Sequence, residues 1–259
     1  MAGLQLALLG PLRLTVQGRT VLHFGYAKVA AFMAYLVVEP GPHARDTLAA
    51  LLWPESSDEA ARRSLRVALT HLRRAIDDPQ MHPPALLVTR DTITFNTAAD
   101  YSLDIVQFTT LVAAVEQHAD AQHPLYPIYM QRIAQAVKLY RGDFLADLRL
   151  NDSHTFEEWV SLRRERLHQQ MVYALGLLLA YHEQRGDDAL AHQYAWRLVE
   201  LEPWDEAAHR CLIRVLLRRG QSGAALVQYK RCSRTLADEF GIAPTVETTA
   251  LYESISRPA

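Results

Sequence analysis

Residues 59–76 have the sequence EAARRSLRVALTHLRRAI, and this stretch decides how the first part of the chain is interpreted. Apolar residues recur in it at spacings of three and four, as they do on the buried side of an amphipathic helix. They are Ala61, Leu65, Ala68, Leu69, Leu72 and Ile76. The other side has five arginines between residues 62 and 74, with no acidic residue in that interval. The stretch therefore predicts an amphipathic helix with one apolar, buried face and one cationic, exposed face.

Two shorter helices are predicted before this one. The first covers residues 27–38 and ends at the Glu39-Pro-Gly-Pro run, and the second covers residues 45–53 and ends at Pro54, because proline cannot continue a helix. The run Ser56-Ser-Asp-Glu supplies a cap and an acidic first turn for the third helix. The second helix follows His43-Ala44, so we expect its cap to be weaker by about 1 kcal/mol than a cap made by Ser or Thr.

Alternating apolar residues predict strands on both sides of these helices. Residues 4–8, 12–16 and 20–22 form a small antiparallel sheet in this interpretation. Residues 86–88 and 93–95 flank the turn Thr89-Arg90-Asp91 and indicate a hairpin. The order sheet, helix, helix-turn-helix, long helix and hairpin is that of a winged helix-turn-helix, which presents one helix to the DNA major groove.

The candidate DNA contacts lie on the third helix and at the tip of the hairpin. They are Arg62, Arg63, Arg66, Val67, Thr70, Arg73, Arg74 and Arg90. Arginine suits this role because its planar fork can bind a phosphate or the edge of guanine, and the methyl groups of Val67 and Thr70 can contact a thymine methyl. Arg62 and Arg73 lie nearer the apolar stripe and suit phosphates.

A solvated surface is the alternative for this face, although such a surface normally mixes charges of both signs. Arg90 likewise has two interpretations. It is either a solvated turn residue or a side chain that enters a narrow minor groove.

The remaining residues are helix after helix, with an internal repeat at an offset of 34 residues. Gly186 aligns with Gly220, Ala189 with Gly223, Ala191 with Ala225, Leu198 with Cys232, Ala174 with Ala208 and Leu178 with Leu212. Helix pairs with this period, a glycine at the turn and small residues at the crossings are typical of tetratricopeptide repeats. The alternative is an all-α bundle without true repeats. A last helix at residues 246–255 is expected to cover the open end of the stack.

Composition excludes several classes of protein. The 259 residues include 27 Lys and Arg against 29 Asp and Glu, so a uniformly basic nucleic-acid binder is excluded. No apolar run is long enough to span a membrane, no signal peptide is expected, and two cysteines suggest free thiols in the cytoplasm. No cluster of residues predicts catalysis, a metal site or a cofactor, so we do not expect an enzyme.

Several motifs resemble a known family. They are Leu8-Leu-Gly-Pro-Leu-Arg-Leu14, Leu48-Ala-Ala-Leu-Leu-Trp-Pro54, Ala60-Ala-Arg-Arg-Ser-Leu-Arg66, Leu72-Arg-Arg-Ala75, Tyr140-Arg-Gly-Asp-Phe-Leu145, residues 159–166 and Glu239-Phe-Gly-Ile-Ala-Pro-Thr245. Together they resemble SARP/AfsR-type transcriptional activators, in which an OmpR-like winged helix precedes a bacterial transcriptional activator domain. The resemblance implies a homodimer on direct-repeat promoter sites that contacts RNA polymerase.

The sequence thus predicts a mainly α protein with two domains. Residues 1–98 form a winged helix-turn-helix DNA-binding domain, and residues 99–259 form a tetratricopeptide-like helical activator domain. The favoured function is a sequence-specific DNA-binding activator in the cytoplasm. A helical-repeat adaptor or ligand sensor, whose winged helix docks a protein, is the alternative.

Overall fold

The computed structural model describes residues 3–21, 25–119 and 127–256. Contacts divide the chain into two compact units, which we name the N-unit and the C-unit. The N-unit comprises Met1–Thr109 and Leu139–His168, and the C-unit comprises Thr110–Lys138 and Gln169–Ala259. Such units follow contacts rather than sequence order, so the predicted domain boundary between residues 98 and 99 stays a prediction.

The first three helices of the N-unit agree with the prediction to within one residue at each end. α1 covers Ala27–Val38, α2 covers Arg45–Leu52 and α3 covers Asp58–Ala75. A 3-10 turn at Asp78–Gln80 follows α3. Ser57 caps α3, since its side chain accepts a hydrogen bond from the Ala60 N–H at 3.4 Å. Ala44 gives α2 no side-chain cap, as predicted.

Seven short strands form two sheets in the described part of the N-unit. They are β1 (Leu4–Ala7), β2 (Arg13–Val16), β3 (Arg19–Val21), β4 (His43–Ala44), β5 (Leu86–Val88), β6 (Thr92–Phe95) and β7 (Tyr101–Leu103). The orders are β3-β2-β1-β7 and β4-β6-β5. The hairpin of β5 and β6 is the predicted wing. β4 and β7 were not predicted, and β7 is parallel to β1 in a sheet expected to be purely antiparallel.

The stretch 139–168 packs into the N-unit through polar contacts at both of its ends. The Leu145 N–H donates to the Leu8 carbonyl at 2.9 Å. The Trp159 indole N–H donates to the Glu39 carboxylate at 2.7 Å, and Arg163 donates to the same oxygen. The Ser153 hydroxyl donates to the Leu51 carbonyl at 2.5 Å. The winged helix is therefore one part of a larger packed unit.

The remaining helices are α4 (Asp104–Ala119), α5 (Pro127–Leu139), α6 (His154–Gln184), α7 (Asp188–Leu201), α8 (Glu206–Arg218), α9 (Ser222–Phe240) and α10 (Val246–Ser256). All lie in the part of the chain that is predicted to be helix after helix. The apolar spacing of residues 126–140 predicts the helix that is α5, but its first residue, Tyr126, lies outside the described residues, as does Leu22, the predicted end of β3. No helix within the described ranges is both long and apolar enough to cross a membrane.

The 34-residue repeat is present in the C-unit. Gly186 and Gly220 both have φ of 70°, the left-handed conformation that ends a helix at little cost in glycine. The residue after each glycine donates the same bond, since Asp187 N–H reaches the His182 carbonyl and Gln221 N–H reaches the Leu216 carbonyl, both at 2.9 Å. Repetition of a backbone motif at the predicted offset supports the tetratricopeptide-like architecture.

Most of the aligned side chains have the expected burial. Ala174, Ala191, Ala208, Ala225, Leu178, Leu198, Leu212 and Cys232 are all buried. Ala189 and Gly223 are exposed, so the expectation that this pair lies at a helix crossing is wrong. Both cysteines are buried and free, and burial raises the pKa of each thiol to about 11. At the end of the stack, Tyr252 of α10 lies flat on Tyr229 at 4.5 Å.

Candidate nucleic-acid interface

The two sides of α3 differ as the sequence predicts. Its apolar stripe is buried throughout, and Ala68 and Leu72 have no exposed surface. The seven candidate DNA contacts on α3 are all exposed. Burial of the stripe anchors the helix, because each fully buried leucine contributes roughly 1.5–3 kcal/mol. The apolar side of α3 is thus fixed by packing, while its polar side faces solvent.

Three of the five α3 arginines are paired with carboxylates, which the sequence analysis did not predict. Arg62 binds Asp46 of α2 through two bonds of 2.6 and 2.8 Å. Arg63 lies 3.2 Å from Glu59, one turn earlier on α3. Arg73 donates at 3.0 Å to Asp78, whose side chain is fully buried. Glu59 and Asp78 lie just outside the interval 62–74 and Asp46 lies on α2, so the absence of acids within the interval did not leave every arginine free.

The Arg62–Asp46 and Arg73–Asp78 pairs differ in exposure and in the elements that they join. Arg62 and Asp46 are both well exposed, and their hydrogen bond raises the pKa of Arg62 and lowers that of Asp46, so the pair remains ionised. Exposed pairs of this kind stabilise a fold by only about 0–1 kcal/mol, so a phosphate can compete for the guanidinium. Asp78, by contrast, is buried and accepts a second hydrogen bond, from the Leu86 N–H at 3.0 Å. Its carboxylate therefore joins Arg73 to the first wing strand, β5.

The other two arginines of α3 have no ion-pair partner within the described ranges. These are Arg66 and Arg74, both exposed. Arg90, at the exposed tip of the wing, also has no such partner among those residues. Three guanidinium groups are therefore available to an external anion without breaking an internal contact.

The wing is fastened to the start of α2. The Arg45 N–H donates to the Asp91 carbonyl at 3.0 Å. The Arg45 guanidinium donates to the Thr89 carbonyl from Nε at 3.3 Å and from Nη2 at 2.9 Å. The first of these bonds satisfies the Arg45 N–H, which is one of the N–H groups without an intrahelical partner at the start of α2, and all three bonds fix the turn that carries Arg90.

An open cleft of about 420 Å³ lies between α2, α3 and the wing. Its lining includes four arginines, which are Arg45, Arg62, Arg66 and Arg90, together with Ala44, Leu65, Asp46 and Asp91. The structure thus places predicted contacts from α3 and from the wing around one concavity, whereas Arg74 lies outside it. Arg45 was missed, because its approach to the wing depends on the unpredicted pairing of β4 with β6.

The apolar members of the candidate set are also accessible. Val67 is 48% exposed. Thr70 is exposed, and its hydroxyl donates to the Arg66 carbonyl at 3.0 Å. No group of three or more His, Cys, Asp or Glu side chains in the described residues could hold a metal ion. The arrangement has the composition of an anion-binding surface with a small apolar element.

A winged helix-turn-helix with an exposed cationic third helix, in one chain with helical repeats, defines a class of transcription regulators. The model of the bacterial transcriptional activator domain matches residues 103–256. The chain therefore belongs to this family, and it is a transcriptional activator of SARP/AfsR type.

Individual relatives support the same assignment. The transcriptional regulatory protein MoaR1 of Mycobacterium tuberculosis is 28% identical over 98% of this chain and 79% of its own length. The regulatory protein AfsR of Streptomyces coelicolor is 26% identical over 97% of this chain but only 24% of its own length. A solved structure of Mycobacterium tuberculosis EmbR in complex with a low-affinity phosphopeptide has a TM-score of 0.72 and 25% identity, and the match covers all of this chain and 67% of that one.

Proposed function

We propose that this transcriptional activator binds double-stranded promoter DNA in a sequence-specific manner, with α3 in the major groove and the wing against the adjacent backbone. In this proposal a homodimer occupies direct-repeat sites in the cytoplasm, and the helical repeats contact RNA polymerase, as the family resemblance implies. The protein acts by binding and recruitment, with no catalytic step.

One observation carries the proposal. The cleft between α3 and the wing is lined by four arginines, and two of them, Arg66 and Arg90, have no ion-pair partner among the described residues. A concavity lined by cations at the third helix of a winged helix-turn-helix fits a phosphate backbone. The tightly anchored α3 supports the proposal further, since an anchored helix positions its side chains at a low cost in entropy.

The test is a binding experiment on the DNA upstream of the protein's own gene. Footprinting locates the protected site, and fluorescence anisotropy compares that site with random duplex near 150 mM salt. We expect at least 1000-fold preference for the site. If Arg66, Arg74 and Arg90 each meet a phosphate, log K against log salt should have a slope of about −3 per protomer. Equal affinity for both duplexes would overturn the proposal.

A pair of charge reversals separates DNA binding from the adaptor hypothesis. Arg63→Glu with Arg66→Glu should abolish binding to the selected duplex. Arg231→Glu with Arg234→Glu is the matched control, since these arginines have the same spacing on the exposed side of α9 in the C-unit. DNA binding that survives the first double substitution, with loss of a protein partner instead, would favour the adaptor.

A further inference from the structure

We infer that α3 carries a hydrocarbon ridge, Val67 and Thr70, that recognises the 5-methyl group of thymine in the major groove. The inference rests on the proposed function and adds the class of base that this surface selects. Thymine is the one base of ordinary DNA with a methyl group at the major-groove edge, so a small apolar side chain can distinguish it from cytosine.

Val67 is placed for contact with a partner rather than for packing. It is 48% exposed, while the anchoring stripe of α3 on the opposite side is buried. A β-branched residue also has a lower helix propensity than alanine, so Val67 does not serve α3 as a helix former. Its two methyl groups lie one turn from the side chain of Thr70, since residues three apart are neighbours on a helix surface.

Thr70 contributes its methyl group because its hydroxyl hydrogen is already used. The hydroxyl donates at 3.0 Å to the Arg66 carbonyl. While this bond persists, the side chain cannot donate to a base acceptor such as guanine O6 or N7. An exposed threonine held in this way offers its Cγ2 methyl group and an oxygen that can only accept.

The arginines around the ridge contribute affinity for DNA, whereas Val67 and Thr70 recognise the methyl groups. Arg66 is exposed and has no ion-pair partner in the described part of the chain, and Arg63 has only the exposed Glu59. Such cations bind phosphate or guanine, and neither contact senses the 5-methyl group.

The same Val-x-x-Thr pattern occurs on α4, which provides a matched control. Val106 is 51% exposed, and the Thr109 hydroxyl donates at 2.9 Å to the Ile105 carbonyl four residues earlier. The sequence of α4 has neither arginine nor lysine. The two pairs share spacing and hydrogen bonding, and only the pair on α3 lies in a cationic surface.

The experiment removes methyl groups first from the DNA and then from the protein. The full chain first selects sites from a random duplex library near 150 mM salt. Each thymine of the selected site is then replaced by deoxyuridine, which removes only the 5-methyl group. We expect affinity to fall about fourfold for each methyl group that the ridge covers.

The protein variants test whether the ridge is the partner of that methyl group. Val67→Ala and Thr70→Ser should bind the thymine and deoxyuridine duplexes with nearly equal affinity at the sensitive position. Thr70→Ser retains the hydroxyl, so its effect isolates the methyl group. Val106→Ala and Thr109→Ser should keep the sensitivity of the unaltered chain, and circular dichroism verifies that every variant is folded.

Each other outcome has a definite consequence. A selected site with no fixed thymine, or with no thymine sensitive to deoxyuridine, overturns the inference and leaves the proposed function standing. Sensitivity that persists in both α3 variants also overturns it, because another residue then contacts the methyl group. Failure to select any site above random sequence overturns the proposed function together with the inference.

Discussion

Two arginine-rich helices of this chain, α3 and α8, use the same side chain for different purposes. On α8, Arg214 donates to Glu183 of α6 at 2.6 Å, and Arg218 donates to Asp188 of α7 at 2.9 Å. Arg210 donates to Thr248 of α10 at 3.1 Å. Each of these partners is 30 residues or more away in the sequence. The arginines of α8 therefore join neighbouring helices of the C-unit.

The arginines of α3 have local partners or none. Glu59, Asp46 and Asp78 lie within 16 residues of the arginines they bind, and Arg66 and Arg74 bind no carboxylate in the described ranges. An arginine-rich helix is therefore not in itself a DNA-binding signal. What distinguishes α3 is that two of its arginines bind no carboxylate in the described ranges, and that Arg62 and Arg66 line an open cleft together with Arg90 of the wing.

The largest expected effect comes from charge reversal on each helix. Arg66→Glu should lower affinity for the selected duplex by at least about 100-fold, since the substitution removes a cation that meets phosphate and the new carboxylate repels the DNA backbone. Arg214→Glu should leave DNA affinity unchanged and lower stability by about 1 kcal/mol or more, because it faces Glu183. Anisotropy and thermal unfolding measure the two effects. Equal effects of both variants on DNA binding would remove the distinction between the helices.

Adjacent arginines on α3 provide a finer test. Arg74→Ala should weaken DNA binding several-fold and make the salt slope shallower by about 0.9, because an unpaired arginine can meet one phosphate. Arg73→Ala should alter that slope less, since Arg73 already binds the buried Asp78. Titrations at a series of salt concentrations give both slopes. A larger change for Arg73→Ala would show that the Asp78 pair does not withhold this arginine from DNA.

The buried sides of the two helices predict a difference in pH dependence. The α3 stripe is apolar, whereas α8 buries His209, which donates from Nε2 to the Pro203 carbonyl and accepts at Nδ1 from Gln228. Burial lowers the pKa of His209 below its ordinary value of 6.5. The unfolded chain therefore binds a proton more readily, so this contribution to stability is present at pH 7 and declines as pH falls below about 6.5.

Thermal unfolding at pH 7 and at pH 5 measures this effect. The variant His209→Gln should lose less stability than the unaltered chain over that interval, because it has no group at this position that titrates there. An identical pH dependence in both proteins would mean that His209 is protonated equally in the folded and unfolded states.

The smallest expected effect belongs to the most exposed pair on α8. Arg218→Ala should cost about 0–1 kcal/mol of stability, as exposed ion pairs generally do, and should not change DNA affinity. Chemical denaturation with parallel binding measurements is sufficient. A clear loss of DNA binding would place α8 in the DNA interface and contradict the role that its partners assign to it.

The features that could be predicted from sequence are those with local causes. The bounds of α1, α2 and α3 depend on prolines, Ser57 and a 3.6-residue period, all contained within each segment. The repeat glycines could be predicted because Gly186 and Gly220 recur at the 34-residue period, and each ends a helix in the same conformation. The exposure of all eight candidate contacts also agrees with the sequence, although their binding to DNA stays a prediction.

The features that could not be predicted depend on contacts between distant segments. β7 is three residues long and exists because β1 supplies the neighbouring strand. Arg45 reaches the wing across 44 residues, and Asp46 reaches Arg62 across 16. Ala189 and Gly223 are small, but size alone does not place a residue at a helix crossing.

The order of the elements and the outward-facing side of α3 follow from local sequence, because helical periodicity sorts apolar from charged residues within one segment. Which arginines bind carboxylates and which surround a cleft depends on the packing of separate elements. An ion pair requires two side chains to lie close together, and for residues on different elements that distance is set by packing.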